Sequence, residues 1–323
     1  MDSEKLLHPQ HFLKLTRHHS TSSVSANELS HFSSLASSWW DPMGPSRVLH
    51  LMNPLRHEFI ASCLTESPPP SLADTNTTTK ANPLRYLDVG CGGGIFAESL
   101  ARTIPSASTP SPRPTATRAA SITAIDPTAS LIRIARDHAR TDPLVAEHLR
   151  SGRFEYRNCT LEALLGAQAQ EGGPPGYYDV VTLFEVLEHI DTNAASSPLR
   201  FLTDCLRLVR PGGWLVGSTI ARSLPSFVVN QVIAEAPWPV GVVPRGTHEW
   251  AKFVNPAELE GWAQEALMRA ADGAAVRAGS EALRGMRWKC AGVMYFPGLG
   301  WRMVPGSEDW GNYFWAVRRG VDG

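Results

Sequence analysis

One stretch constrains this chain more than any other: YLDVGCGGGIFAESLA, residues 86–101. An apolar run enters a cluster of four glycines, Gly90, Gly92, Gly93 and Gly94, and a helical pattern leaves it. Glycine accepts the left-handed backbone that such a turn needs and lets a ligand approach the main chain, while the helix that follows points its free amides at that ligand. The dinucleotide pattern G-x-G-x-x-G is not met, because Ile95 occupies the sixth position. On this stretch alone a purely structural turn stays open. The acid that closes ITAID adds weight. Asp126 follows Gly94 by 126 − 94 = 32 positions, and removing the 14 residues of the Pro/Ser-rich stretch 105–118 leaves 18. A carboxylate that grips a ribose diol is expected ~20 residues on. Asp126 also suits a helix N-cap beside Pro127, and the two roles are compatible. Asp88, two residues before Gly90, sits where it can meet the ligand or brace the turn. Together these residues favour a ligand that carries a nucleoside.

The surrounding chain alternates strand and helix signals. RYLDV (85–89), SITAI (121–125), YDVVTLF (178–184) and GGWLVGST (212–219) read as strands. Residues 95–102, 130–139, 161–165 and 198–209 read as helices between them. This alternation predicts an α/β fold, a mostly parallel sheet covered by helices on both faces. RWKCAGVMYFP and NYFWAVRR near the C-terminus read as two further strands. Three stretches with little to bury, about 66–83, 105–118 and 166–176, read as disordered inserts. Residues 1–28 read as a transit peptide or disordered tail, since KLTRHHSTSSVS is basic, hydroxyl-rich and free of acids, although MDSEK opens with two acids. Residues 29–323 then form one domain. The formal net charge of −1 gives no electrostatic footprint for nucleic acid. Five cysteines without a CxxC pair argue against a zinc ribbon or a secreted disulfide scaffold and suit a reducing compartment. No run approaches the ~20 apolar residues of a membrane span.

LDVGCGGG with the following AID, YDVVTLFEVLEHI and LVRPGGWLVGST resemble the successive motifs of class I S-adenosylmethionine-dependent methyltransferases. FSSLASSWWDPMGPSRVLHLMNPLRHEFI (32–60) and VPRGTHEWAKFVNPAEL (243–259) are similar to the ubiquinone biosynthesis O-methyltransferase family, mitochondrial type. The resemblance implies a Rossmann-like sheet of seven mostly parallel strands, an N-terminal helical cap and a lid insertion after strand five. It implies S-adenosylmethionine as methyl donor, with Arg56 on the methionine carboxylate, Gly90 and Gly92 near the methionine portion, Asp126 on the ribose and Phe184 against the cofactor. Without it, Phe184 reads as core, and Asp88 is divided evenly between ligand contact and brace. The acceptor implied is a polyprenylated catechol. A different small-molecule acceptor, a nicotinamide-dependent oxidoreductase and a non-catalytic relative that serves assembly are the competing readings.

A phenol titrates near 10, so it needs a base or a Lewis-acidic cation to become a nucleophile near neutral pH. His248, in RGTHEW, is the candidate base outside the LEH run. In TLFEVLEHID, a helix beginning at about Glu185 would put Glu185, Glu188 and His189 on one face, able to converge on a divalent ion. The same run also serves as packing in methyltransferases that use no metal. The family resemblance implies that these three are metal ligands, for Mg2+ or alternatively Zn2+. The stretch LPSFVVNQVIAEAPWPVGVVPRGTHEWAKF has the composition of an interfacial segment as well as of a lid. The expectation is peripheral attachment at the matrix face of the mitochondrial inner membrane, within a biosynthetic complex.

Overall fold

A computed structural model describes residues 23–44, 46–70, 84–106, 115–170, 178–192, 196–229, 235, 249–271, 283–296 and 298–320. The inserts expected about 66–83, 105–118 and 166–176 fall largely outside these residues, as do the tail 1–22 and most of the lid.

The chain opens with α1 (Ala26–Leu35), capped by the Ser25 side chain, which accepts from the Glu28 amide. After a single 3-10 turn comes α2 (Arg47–Glu66). Then follow β1 (Leu84–Val89), α3 (Ile95–Ala101), β2 (Ala119–Asp126), α4 (Ala129–Ala139), α5 (Pro143–Arg150), β3 (Phe154–Asn158), α6 (Leu161–Gln170) and β4 (Tyr178–Phe184). The last third supplies α7 (Pro198–Leu208), β5 (Val209–Ile220), α8 (Pro256–Ala270), β6 (Arg287–Phe296), β7 (Gly300–Met303) and β8 (Asn312–Arg318).

The strands form one sheet in the order β3-β2-β1-β4-β5-β8-β6-β7. The first five are parallel, whereas β8 pairs antiparallel with both β5 and β6. β1 and β4 are buried along nearly their whole length, as strands covered on both faces must be. One core packs α2 to α5 on one face, through residues such as Phe59, Phe96 and Ile132. The other packs α6 to α8 on the opposite face, through Leu164, Leu202 and Leu259.

The sequence pattern anticipates this architecture and misses three elements. β3 (FEYRN) is an edge strand whose outer end is exposed, so no apolar run announces it. α5 is short and begins on the Asp142–Pro143 cap. β7 makes the sheet eight-stranded rather than seven-stranded. It folds back on β6, pairing Phe296 with Gly300, and covers only four residues.

The chain leaves β1 toward β2 and β3 on one side and crosses to β4 on the other. In an open α/β sheet the crevice at the carboxyl ends of the strands flanking that switch is where ligands bind. The glycine turn after β1 stands on its rim.

Candidate active site

The turn after β1 is held by the strand beside it. The Gly90 and Cys91 amides both donate to the Ile125 carbonyl. Gly90, Gly92 and Gly94 have φ of +70°, +54° and +89°, a region costly to any residue with a Cβ. Asp126, at the end of β2, accepts from the Gly92 amide (2.9 Å) and the Thr128 amide (2.8 Å). It therefore braces the glycine turn and the start of α4 together, and each carboxylate oxygen keeps acceptor capacity for a hydroxyl. Burial pushes its pKa up, and the two amides draw it back.

Asp88 accepts from Thr182 Oγ1 on β4 (2.7 Å). Burial is the main influence on this carboxyl and raises its pKa to about 7; Thr182 and Arg56 pull it down, and Asp126 pushes it further up.

Arg56 comes from the middle of α2 and is 3% exposed. Its Nη1 donates to Asn53 Oδ1 (3.0 Å), and Asn53 Nδ2 donates to the Ile95 carbonyl at the start of α3 (3.0 Å). The guanidinium lies 4.9 Å from the centroid of the Phe184 ring, and Nε is buried with no hydrogen-bond partner among the described residues. Burial works against its charge, and the fields of Glu185 and Asp88 favour it. A buried guanidinium without a carboxylate to grip is suited to an anion brought by a ligand. Phe184 meets Phe96 edge-to-face, with centroids 4.7 Å apart.

Asn53, Thr182 and Thr128, which place these groups, were not singled out in the sequence. Neither was Trp39. Its indole lies over the outside of the glycine turn, so close that a Cβ on Gly93 would stand 2.3 Å from its Cδ1. Trp40 donates from Nε1 to the Gly93 carbonyl (2.9 Å) and stacks on His138 at 3.5 Å. His138 in turn meets Glu98, a fully buried carboxylate that also pairs with Arg102. The pair was legible as a family mark, and its packing on the glycine turn is what the structure adds.

The cluster after β4 differs from the expected helix. Glu185 takes a left-handed backbone, φ +55°, and only Leu187–His189 form a 3-10 turn. The helical i, i+3, i+4 face therefore does not exist. Glu185 accepts from Ser218, Glu188 accepts from Thr219 Oγ1 (2.9 Å), and His189 Nδ1 faces Glu28 Oε2 (3.2 Å). Burial and repulsion from Glu185 raise the Glu188 pKa. Burial is the largest influence on His189 and opposes its charge, but the hydrogen bond to Glu28 and the fields of Glu188, Glu28 and Glu185 together outweigh it, and the pKa stands above the usual imidazole value. Among the described residues no group of three or more His, Cys, Asp and Glu side chains is arranged to hold a metal ion. The donor types fit a divalent cation; their placement here does not. His248 lies outside the described residues.

The N-terminal helix closes this end. Glu28 meets both His189 and Lys252 Nζ (3.4 Å), and Phe32 packs edge-to-face on His189 at 4.9 Å.

Residues 55–266 match the family described as a methyltransferase domain. Curated relatives are named alike. The chain is 32% identical to the mitochondrial ubiquinone biosynthesis O-methyltransferase of Candida albicans, over 92% of this chain and 86% of that protein. It is 36% identical to that of Schizosaccharomyces pombe, over 79% and 76%. It is 37% identical to the ubiquinone biosynthesis O-methyltransferase of Leptothrix cholodnii, over 74% and 80%. The chain belongs to the ubiquinone biosynthesis O-methyltransferase family. It is an S-adenosylmethionine-dependent O-methyltransferase with the class I fold. Membership sets aside the nicotinamide-dependent reading, as the absent sixth-position glycine of the turn already indicated.

Proposed function

We propose that this chain methylates a catechol-type hydroxyl of polyprenylated dihydroxybenzoate or demethylubiquinol intermediates. The names of its relatives support the pathway. The observation that carries the donor site is Arg56, a buried guanidinium with no carboxylate partner among the described residues, held by Asn53 to the helix that leaves the glycine turn.

S-adenosylmethionine supplies an electrophilic methyl group on a sulfonium. The chain supplies alignment, which is most of what an in-line displacement asks for. Arg56 holds the methionine carboxylate, Asp126 accepts from the ribose hydroxyls and the turn at Gly90–Gly92 lets the donor lie against the main chain. Phe184 walls the crevice beside Arg56. The acceptor must still lose a proton. Glu188, whose pKa is raised by burial and by Glu185, is matched to take one near neutral pH. His248 is the second candidate.

The cation reading is kept as a condition on Glu185, Glu188 and His189. They would take Mg2+, or Zn2+, only after leaving Ser218, Thr219 and Glu28. A bound cation would lower the pKa of a catechol oxygen.

The site of action proposed is the matrix face of the mitochondrial inner membrane, as a peripheral protein within a biosynthetic complex. Among the described residues no helix is long and apolar enough to cross a membrane. Purified protein assayed with a short-tailed dihydroxybenzoate is expected to transfer the methyl group to oxygen. A chelator arm, then Mg2+ or Zn2+ restored, reads the cation: full activity in EDTA removes it. No product from any catechol overturns the substrate class.

A further inference from the structure

A buried carboxylate stands behind the glycine turn and takes no part in the chemistry described above. Glu98, in α3, is 0% exposed, and a charge taken so far from water is tolerated where its oxygens are occupied. Arg102 holds Oε1, and His138, in the last turn of α4, holds Oε2 at 2.8 Å. A carboxylate only accepts, so His138 Nδ1 is the donor, and the bond fixes the orientation of the imidazole. Arg102 is held from its other side by Asp142 (2.7 Å), the cap of α5.

The imidazole fixed in this way lies flat on the Trp40 indole, with centroids 3.5 Å apart and planes 5° from parallel. His50, on α2, meets the same indole edge-on at 4.9 Å. Between them Trp40 aims Nε1 at the Gly93 carbonyl (2.9 Å). That carbonyl belongs to the peptide whose N–H, on Gly94, donates to the Cys91 carbonyl (2.9 Å). One planar peptide of the turn is therefore gripped at both its poles. Gly93 lacks the positive φ of Gly90, Gly92 and Gly94, and it is the Trp39 indole that bars a side chain there. Two adjacent indoles thus secure one residue, Trp39 by packing and Trp40 by a hydrogen bond.

We propose that Trp40 is a positioning residue for the methyl donor, and that Glu98 and His138 act through it. The three hold the Gly93–Gly94 peptide in the orientation that lets the donor lie against the turn. Four glycines within the five positions 90–94 make a segment that loses much conformational freedom on ordering. A donor that had to order this segment for itself would bind less tightly than one that meets it already set. The proposal concerns the donor alone and holds whichever acceptor is methylated.

Calorimetry of S-adenosylhomocysteine binding tests this in wild type, W40F, H138L, W40F/H138L and R140S. Arg140 pairs with Asp137 at the surface and serves as the control. W40F keeps a ring to pack and loses the N–H, so it is expected to bind about tenfold more weakly, the scale of one hydrogen bond. H138L is expected to lose about threefold in the wild-type background and nothing further beside W40F, because the two share one route to the turn. R140S is expected to bind as wild type does. With a short-tailed dihydroxybenzoate, the donor KM should rise by the same factors while kcat at saturating donor holds, a split that general loosening of the fold would not give. Native circular dichroism at the assay temperature shows that the variants are folded. Equal affinity of W40F and wild type overturns the proposal. So does a loss in H138L that persists in full beside W40F, and so does a fall in kcat with donor KM unchanged. If no catechol is methylated, the substrate reading falls and the binding cycle decides the role of Trp40.

Discussion

Arg56 is the residue whose position makes least sense without a ligand. A buried charge that lacks an ionic partner costs stability, and such costs are kept where binding needs them. Arg56→Met, similar in length and apolar, is therefore expected to raise the melting temperature of the free protein by a few degrees. It should also weaken S-adenosylhomocysteine binding by about 100-fold, the loss of a charge-assisted bidentate pair. Calorimetry and thermal unfolding on the same samples check both halves, and unchanged affinity would remove Arg56 from the donor site. At this scale the sequence was legible where a role depends on near neighbours. NPLR, the glycines and ITAID each carry their own context: Arg56 stands over Phe184, and Asp126 braces the glycine turn. Glu185, Glu188 and His189 were not legible in the same way. Their partners Ser218, Thr219 and Glu28 lie 33, 31 and 161 positions away, and it is these that set the side chains apart.

Among the elements, the segment from α1 through the Trp39–Trp40 pair acts as the outer wall of the glycine turn. The contact between Trp39 and Gly93 leaves no room for a methyl group. Gly93→Ala is expected to destabilise the protein by about 1–3 kcal/mol, the range for overpacking. Trp39→Leu in the same chain should return about 1 kcal/mol or more of that loss, because the two changes share one contact. Urea unfolding of the two single variants and the double variant measures the coupling; strictly additive losses would show that Trp39 is not the wall. The strand and helix signals foretold β1, β2, β4, β5, β6 and β8, since each carries an apolar run, buried in all of them but β6. β3 and β7 escaped because an edge position asks little of side chains, and a four-residue strand after Gly298 makes its pairing through the main chain.

The molecule as a whole titrates with its buried acids. Asp88 has a folded pKa of about 7, raised by burial above the ordinary carboxylate value. A raised pKa means that the folded chain holds the proton more tightly than the unfolded one. Its contribution to stability is complete at low pH and is lost as pH rises from about 4 through about 7. Asp88→Asn, which keeps the shape and cannot ionise, is expected to flatten that part of the curve, so the variant gains on wild type as pH increases. Melting temperatures from pH 4 to pH 8, without ligand, give the comparison, and parallel curves would contradict the assignment. The sheet order has a consequence in time. β8 (Asn312–Arg318) lies between β5 and β6, and its Phe314 and Trp315 are fully buried. In chain order it is made after β1 to β7, the strands it completes. Until it emerges, β5 has a bare edge and the donor crevice has an unfinished wall. A chain released or cut before β8 is made therefore exposes the edge of β5 to any free strand that can pair with it.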